Sequence, residues 1–231
     1  MNALSTRDLH VTLAGSHVLQ GVTLDVPSGG VTALLGRNGV GKTTTLRALL
    51  GLVPHEGSVT ILDHDVERWA THRIVQLGVG YVPEDRDVFA GLSVAENLRL
   101  AEQRPDPDYE TAFGLFPELR DRRRQRAGTL SGGQQQMLSI ARVLLNRWPL
   151  LLVDEPSKGL APRIVGELAD ALERVATRST ILLVEQNLAV VRRLAQRVVV
   201  LDHGVVVHAG PASDLADPDL TRQLLGVAGA R

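Results

Sequence analysis

Residues 36–43 read Gly-Arg-Asn-Gly-Val-Gly-Lys-Thr and fit G-x-x-x-x-G-K-[ST], and this loop limits the fold more than any other stretch of the chain. Directly before it, Val31–Leu35 is a continuous apolar run of strand length, as expected for a strand buried on both faces. Directly after it, a helix starts near Lys42, carries Leu46, Leu49 and Leu50 at helical spacing, and ends around residues 51–54. Glycines let backbone N–H groups turn inward around phosphate oxygens, and the helix N-terminus adds partial positive charge. Gly36, Arg37, Asn38, Gly39, Val40, Gly41, Lys42, Thr43 and Thr44 are therefore assigned to a nucleotide cradle. Lys42 would reach the β- and γ-phosphates, the Thr43 hydroxyl would ligate Mg²⁺, and Thr44 starts the helix beneath. Only two of the 25 basic residues are lysines, Lys42 and Lys158, so an ammonium closing the loop is a specific choice.

A second element supplies acid. Residues 150–153 are four apolar residues that end on Asp154 and Glu155, so a core strand delivers two carboxylates at its C-terminal edge, where ligands bind in open α/β sheets. Asp154 would hold Mg²⁺ directly or through water, and Glu155 would face the γ-phosphate and orient the attacking water.

The remaining pattern gives the fold class. The first 30 residues alternate apolar with polar, punctuated by Gly15 and Gly21, and predict short antiparallel strands with one covered face. Residues 59–62 form another short strand. Apolar strands at 150–153 and 181–184 flank a helix with Ile164, Leu168, Leu172 and Val175 on one face, which gives a parallel α/β core. Residues 198–207 read as a hairpin, and a short helix covers 220–225. Residues 87–128 differ: helix-like pieces at 93–101 and 109–116, three prolines and a basic run read as a helical lobe inserted into the core.

Composition then removes alternatives. The 231 residues are 44% hydrophobic, enough for one core or a core with a small lobe. With 25 Lys and Arg against 26 Asp and Glu, the chain lacks the basic excess of a protein that lives on nucleic-acid phosphates. It has no cysteine, which excludes a disulfide scaffold, a thiolate metal site and a thiol nucleophile. Seven singly placed histidines make no zinc spacing, and no apolar run approaches the length of a membrane span. The polar N-terminus has no signal-peptide core, so the expectation is a cytoplasmic chain whose partners do any spanning.

Residues 129–137, Thr-Leu-Ser-Gly-Gly-Gln-Gln-Gln-Met, place a glycine pair at the head of another helix, whose buried stripe is Met137, Leu138, Ala141, Leu144 and Leu145. Ser131 reads as its N-cap, and Gly132 and Gly133 leave backbone N–H groups bare at a positive helix end. This is a second anion site outside the first loop. Two half-sites for one triphosphate are resolved if two chains meet head to tail, each offering its glycine helix to the other's nucleotide.

Leu-Ser-Gly-Gly-Gln at 130–134 resembles the signature of the ATP-binding-cassette (ABC) ATPases, and the order of motifs is similar to that family over essentially the whole chain. The segments at 80–83, 116–119, 127–133, 154–162 and 184–187 look like those of ATP-binding components of branched-chain amino acid importers and their urea and amide relatives. The resemblance implies one ABC ATP-binding domain over 1–231. It would be an α/β P-loop NTPase core, mostly parallel, with an N-terminal antiparallel β-subdomain and an α-helical subdomain at about 87–130. It also implies Mg-ATP hydrolysis coupled to solute transport, with Ser131, Gly132, Gly133 and Gln134 contacting nucleotide. The implied partners are a second ATP-binding subunit, identical or not, membrane permeases and, indirectly, a solute-binding protein, on the cytoplasmic face of the membrane and without nucleic acid.

Four positions depart from the broad family pattern. The glutamine that senses γ-phosphate and metal is Glu84, which can ligate Mg²⁺ but adds negative charge beside a triphosphate. The switch histidine is Gln186, which can hydrogen-bond the γ-phosphate but carries no proton or charge. An aspartate downstream is Ala161, and the aromatic residue that stacks on adenine is Leu13. The first three are also similar to the importer subgroup. Glu155, Gln186 and Glu84 are the expected catalytic set, and a slowly hydrolysing regulatory subunit that completes a partner's site is the alternative. The basic run 120–126 reads as a solvated helix face, with contact to a permease loop or anionic lipid as the sharper option. Trp69 and Trp148 read as packing residues.

Overall fold

The structure, a computed structural model, describes residues 1–226. Strands β1 (Asn2–Leu13) and β2 (Ser16–Pro27) pair antiparallel along their whole length. They are 12 residues each rather than short, because a register shift between Thr6 and Leu9 absorbs Asp8 in a left-handed conformation (φ 52°). Such a bulge resets the alternation partway along, which makes one long strand look like two fragments. After β3 (Val31–Leu35) and α1 (Lys42–Leu49) come β4 (Glu56–Ile61) and β5 (His64–Asp65), which complete a four-stranded sheet in the order β2-β1-β4-β5.

Helix α2 (Thr71–Gly78) and strand β6 (Val79–Val82) follow, and both escape a reading of the sequence. The helix is eight residues long and fully buries only Ile74, with Leu77 packed beside it, so its apolar stripe is too short to read. The strand is four residues long and contains Gly80, where an added Cβ would stand 2.6 Å from Trp148 Cδ1. Trp148 is a packing residue there, with its indole N–H donated to the Val143 carbonyl at 2.7 Å.

The lobe contains α3 (Val94–Leu100), α4 (Tyr109–Leu115) and α5 (Pro117–Asp121). Ser93 and Glu96 form a reciprocal cap on α3, and the buried Asn97 amide pins residues 89–93 to that helix. Arg120, Arg122, Arg123 and Arg124 of the basic run are exposed.

Helix α6 (Gly132–Leu144), strand β7 (Leu150–Asp154), helix α7 (Pro162–Ala176), strand β8 (Thr180–Val184) and helix α8 (Leu188–Leu194) lead to the hairpin β9 (Arg197–Asp202) and β10 (Val205–Pro211). Helix α9 (Pro218–Leu225) ends the described residues. The second sheet has the order β10-β9-β3-β8-β7-β6, parallel throughout except for the edge strand β10. The architecture is α/β, as the pattern predicts.

This sheet separates two main cores by the period-two rule. Leu151, Val153, Ile181 and Leu183 face the lobe with α6 and α7, while Leu150, Leu152, Leu182 and Val184 face α1 and the antiparallel sheet. Val94, Leu98, Phe116 and Leu119 of the lobe share the first core with Met137 and Leu138. Truncating Leu152 to Ala at this fully buried centre would cost about 2–5 kcal/mol.

Candidate functional site

Four neighbouring parallel strands end on one edge, and each releases a loop carrying chemistry. Leu34 stands opposite Val184, Val184 opposite Asp154, and Val153 opposite Val82. The loop at 36–44 after β3, residues 185–187 after β8, Asp154 at the end of β7 with Glu155 just after it, and Glu84 after β6 therefore lie side by side.

The glycines of the first loop have steric reasons. Gly36 (φ 147°) lies where a Cβ would come within 2.8 Å of Val40 Cγ2, and Gly41 (φ 110°) lies where one would press on Leu19 and the Val18 carbonyl. Gly41 is the N-cap of α1 and no side chain caps that end. The first N–H groups of α1 thus remain available to an anion. Lys42 is 4% exposed, and its ammonium donates to the Gly36 and Arg37 carbonyls at 2.9 and 3.0 Å.

Asp154 is fully buried, and neither carboxylate oxygen makes a well-formed hydrogen bond, although the Thr43 hydroxyl and Tyr81 phenol lie near enough to act on it. It shares a cavity of about 370 Å³ with Thr43, Glu84 and Tyr81. Burial first, with the charges of Glu84 and Glu155, pushes its pKa up to about 6 against the pull of Thr43 and Lys42. Burial and the charge of Asp154 also push the Tyr81 phenol well up. An unpartnered carboxylate beside a threonine hydroxyl and a second carboxylate fits a hard divalent cation with oxygen ligands. Among the described residues no cluster of three acidic, imidazole or thiol groups could chelate a metal, so the protein side chains alone would not complete a coordination shell.

Glu155 is held in a left-handed conformation (φ 42°), with its N–H donated to the Val184 carbonyl at 2.9 Å. Its Oε1 accepts from Gln186 Nε2 at 2.5 Å and lies 3.4 Å from Lys42 Nζ. Gln186 also reaches Asn38 Oδ1 at 2.5 Å, so one amide spans the glycine loop and the acid. Glu84 pairs with Lys158, whose ammonium also lies 3.8 Å from Glu155 Oε2.

One buried acid escapes the sequence motifs. Glu185 is 2% exposed and accepts from the N–H groups of Ser157, Gln186 and Asn187 at 3.1, 2.7 and 2.8 Å. It ties the segment after Glu155 to the segment bearing Gln186. A carboxylate directly after the five buried residues of β8 is the available signal.

The glycine pair lies elsewhere. Ser131 caps α6 by accepting from the Gln134 N–H at 3.3 Å, and the Gln134 amide group accepts from the Ser131 N–H and donates to Glu118. An added Cβ on Gly132 would stand 2.9 Å from the Arg86 guanidinium, and one on Gly133 would stand 3.3 Å from Ile164. Among the described residues no hydrogen bond or ion pair joins 131–134 to 36–44. Leu13 stands opposite Ser16 at the tip of the β1–β2 hairpin, 37% exposed.

Comparison with known proteins adds a family. Residues 19–158 match the family described as ABC transporter. The chain is 38% identical to the high-affinity branched-chain amino acid transport ATP-binding protein BraG of Pseudomonas aeruginosa, covering 90% of this chain and 93% of that one. It is 33% identical to the probable branched-chain amino acid transport ATP-binding protein LivF of Archaeoglobus fulgidus (96% and 97% covered). It is also 32% identical to the lipopolysaccharide export system ATP-binding protein LptB of Escherichia coli (98% of each). A crystal structure of a nucleotide-free ATP-binding cassette from an ABC transporter superposes with a TM-score of 0.83 at 25% identity, covering 96% of this chain and 98% of that one.

Proposed function

Because this chain belongs to the ABC transporter family and is one of its ATP-binding, ATP-hydrolysing subunits, we propose that it powers import of branched-chain amino acids or related amides. The observation that carries the site assignment is the buried, unpartnered Asp154 facing Thr43 and Glu84 beside the glycine loop. Thr43, Asp154 and Glu84 would hold Mg²⁺, which supplies charge compensation for the phosphates.

The chain's own residues would then work as follows. The bare N–H groups at the head of α1, with Lys42, grip the triphosphate, and Asn38 and Gln186 fix the loop to the acid. Glu155, held by Gln186 and by its own backbone, orients water on the γ-phosphorus and takes its proton as the bond to ADP breaks. Leu13 would offer the adenine an apolar surface without stacking. Ser131, Gly132, Gly133 and Gln134 would complete the site of a second ATP-binding subunit.

Among the described residues no helix is long and apolar enough to cross a membrane, which supports permease partners doing so. A groove of about 390 Å³ lined by Tyr81, Pro83, Asp87, Leu100, Arg142 and Trp148 touches both the loop after β6 and the lobe. Leu100 in this groove is 61% exposed, and Phe89 on the adjoining loop is 49% exposed. A permease segment seated there would feel both the Glu84 loop and the lobe, which is what coupling requires.

The test is uptake of labelled leucine into liposomes containing the chain, its permeases and binding protein. Glu155→Gln should keep ATP binding and abolish uptake. Uptake that survives this substitution would make the chain the regulatory half of a pair, the reading that Glu84 and Gln186 motivate.

A further inference from the structure

Lys158 is the second of the two lysines in the chain, and the two ammonium groups are placed differently. Lys42 is locked inside its loop by two carbonyls and 4% exposed. Lys158 is 56% exposed on a turn whose N–H donates to the Glu155 carbonyl at 3.1 Å. It nonetheless reaches across 74 residues of sequence to hydrogen-bond Glu84 Oε1, with Glu155 Oε2 at 3.8 Å. Those are the two carboxylates assigned above to metal and to water. Arg86, a basic residue of the Glu84 loop, packs its guanidinium against Gly132. Glu84, Asp154 and Glu155 with Lys42 and Lys158 leave one net negative charge, and two if the Lys158 ammonium is removed, before a triphosphate is added.

We propose that Lys158 is a tethered counter-cation that competes with divalent metal for Glu84. The ammonium lets a triphosphate enter beside the two carboxylates without metal, and full metal loading requires Lys158 to release Glu84. Lys158 thereby acts as a positioning residue that sets how strongly nucleotide affinity depends on Mg²⁺. The proposal rests on the nucleotide placement given above. The Lys158 ammonium donates to Glu84 and lies beside Glu155, so both carboxylates favour its charged form.

The experiment is a titration with ATP, followed by displacement of a fluorescent ATP analogue, in excess EDTA and again in excess magnesium chloride. Lys158→Met should weaken metal-free ATP binding about tenfold while moving binding in magnesium by less than about twofold. The same variant should lower the magnesium concentration for half-maximal effect severalfold. Lys158→Arg should behave as the parent, and adding Glu84→Gln to Lys158→Met should restore metal-free affinity to within about twofold. Equal loss in both conditions, or no loss in either, overturns the inference. Lys42→Ala is the separate control: if it binds ATP as the parent does, the nucleotide placement itself falls.

Discussion

Lys42 Nζ lies 3.4 Å from Glu155 Oε1, and the two side chains are 4% and 8% exposed. The pair joins the head of α1 to the end of β7, where Lys42 also donates to the Gly36 and Arg37 carbonyls and Glu155 also accepts from Gln186. A single truncation takes from a buried charge its nearest buried opposite charge, while removing both charges does not. Lys42→Met should therefore cost about 3 kcal/mol in urea unfolding of the isolated chain. Lys42→Met with Glu155→Gln should recover part of that loss. If the double substitution is as unstable as the sum of the singles, the two groups are not coupled.

Glu185 supports three backbone N–H groups from two segments. Glu185→Ala orphans them, so thermal unfolding should show a loss of about 2–4 kcal/mol. Because Gln186 is positioned through its own N–H, kcat should fall further than ATP affinity. Parent-like stability would show that water replaces the carboxylate without cost.

Asp154 makes stability depend on pH in the direction opposite to a salt-bridged acid. Its folded pKa is raised from 3.8 to about 6, chiefly by burial. Between those values the folded chain keeps a proton that the unfolded chain has lost, so this site's contribution falls as pH rises through about 4 to 6. The rise corresponds to about 3 kcal/mol at neutral pH in EDTA. Asp154→Asn should therefore match the parent near pH 4 and exceed its stability at pH 7, measured by urea unfolding without metal or nucleotide. An Asn variant less stable than the parent at pH 7 would contradict this.

The basic run at 120–126 lies largely on the surface, and its side-chain contacts include Arg120 over the Phe113 ring and Arg122 beside Glu118 at 3.9 Å. Replacing Arg122, Arg123 and Arg124 with Ser should change unfolding free energy by under about 0.5 kcal/mol and leave basal ATPase activity intact. A loss confined to the permease-bound state would assign the run to partner contact.

What the sequence disclosed follows physical locality. The glycine loop, Asp154 with Glu155, and the capped glycine helix are contiguous, and each requires its residue types at fixed offsets between recognisable flanks. The strands at 150–153 and 181–184 were legible because burial on both faces leaves only apolar residues. Strand β6 was not, because four residues with a glycine cut out for Trp148 have no such signature. Helix α8 was also hidden: its seven residues start at an Asn187 cap that looked like the tail of the preceding motif. Glu185 and the Lys158–Glu84 contact were invisible for another reason, since burial of an acid and pairing across 74 residues are properties of the assembled sheet edge.

The central claim is that one triphosphate is held between residues 36–44 of one chain and 131–134 of another. The chain has no cysteine, so a reporter pair can be introduced cleanly: Asn38→Cys and Ser131→Cys in a Glu155→Gln background. Oxidation with ATP should give a disulfide-linked dimer of about twice 24.9 kDa on a non-reducing gel, and little without ATP. A monomer in which the two introduced thiols are joined to each other, formed in the presence of ATP, would contradict the account.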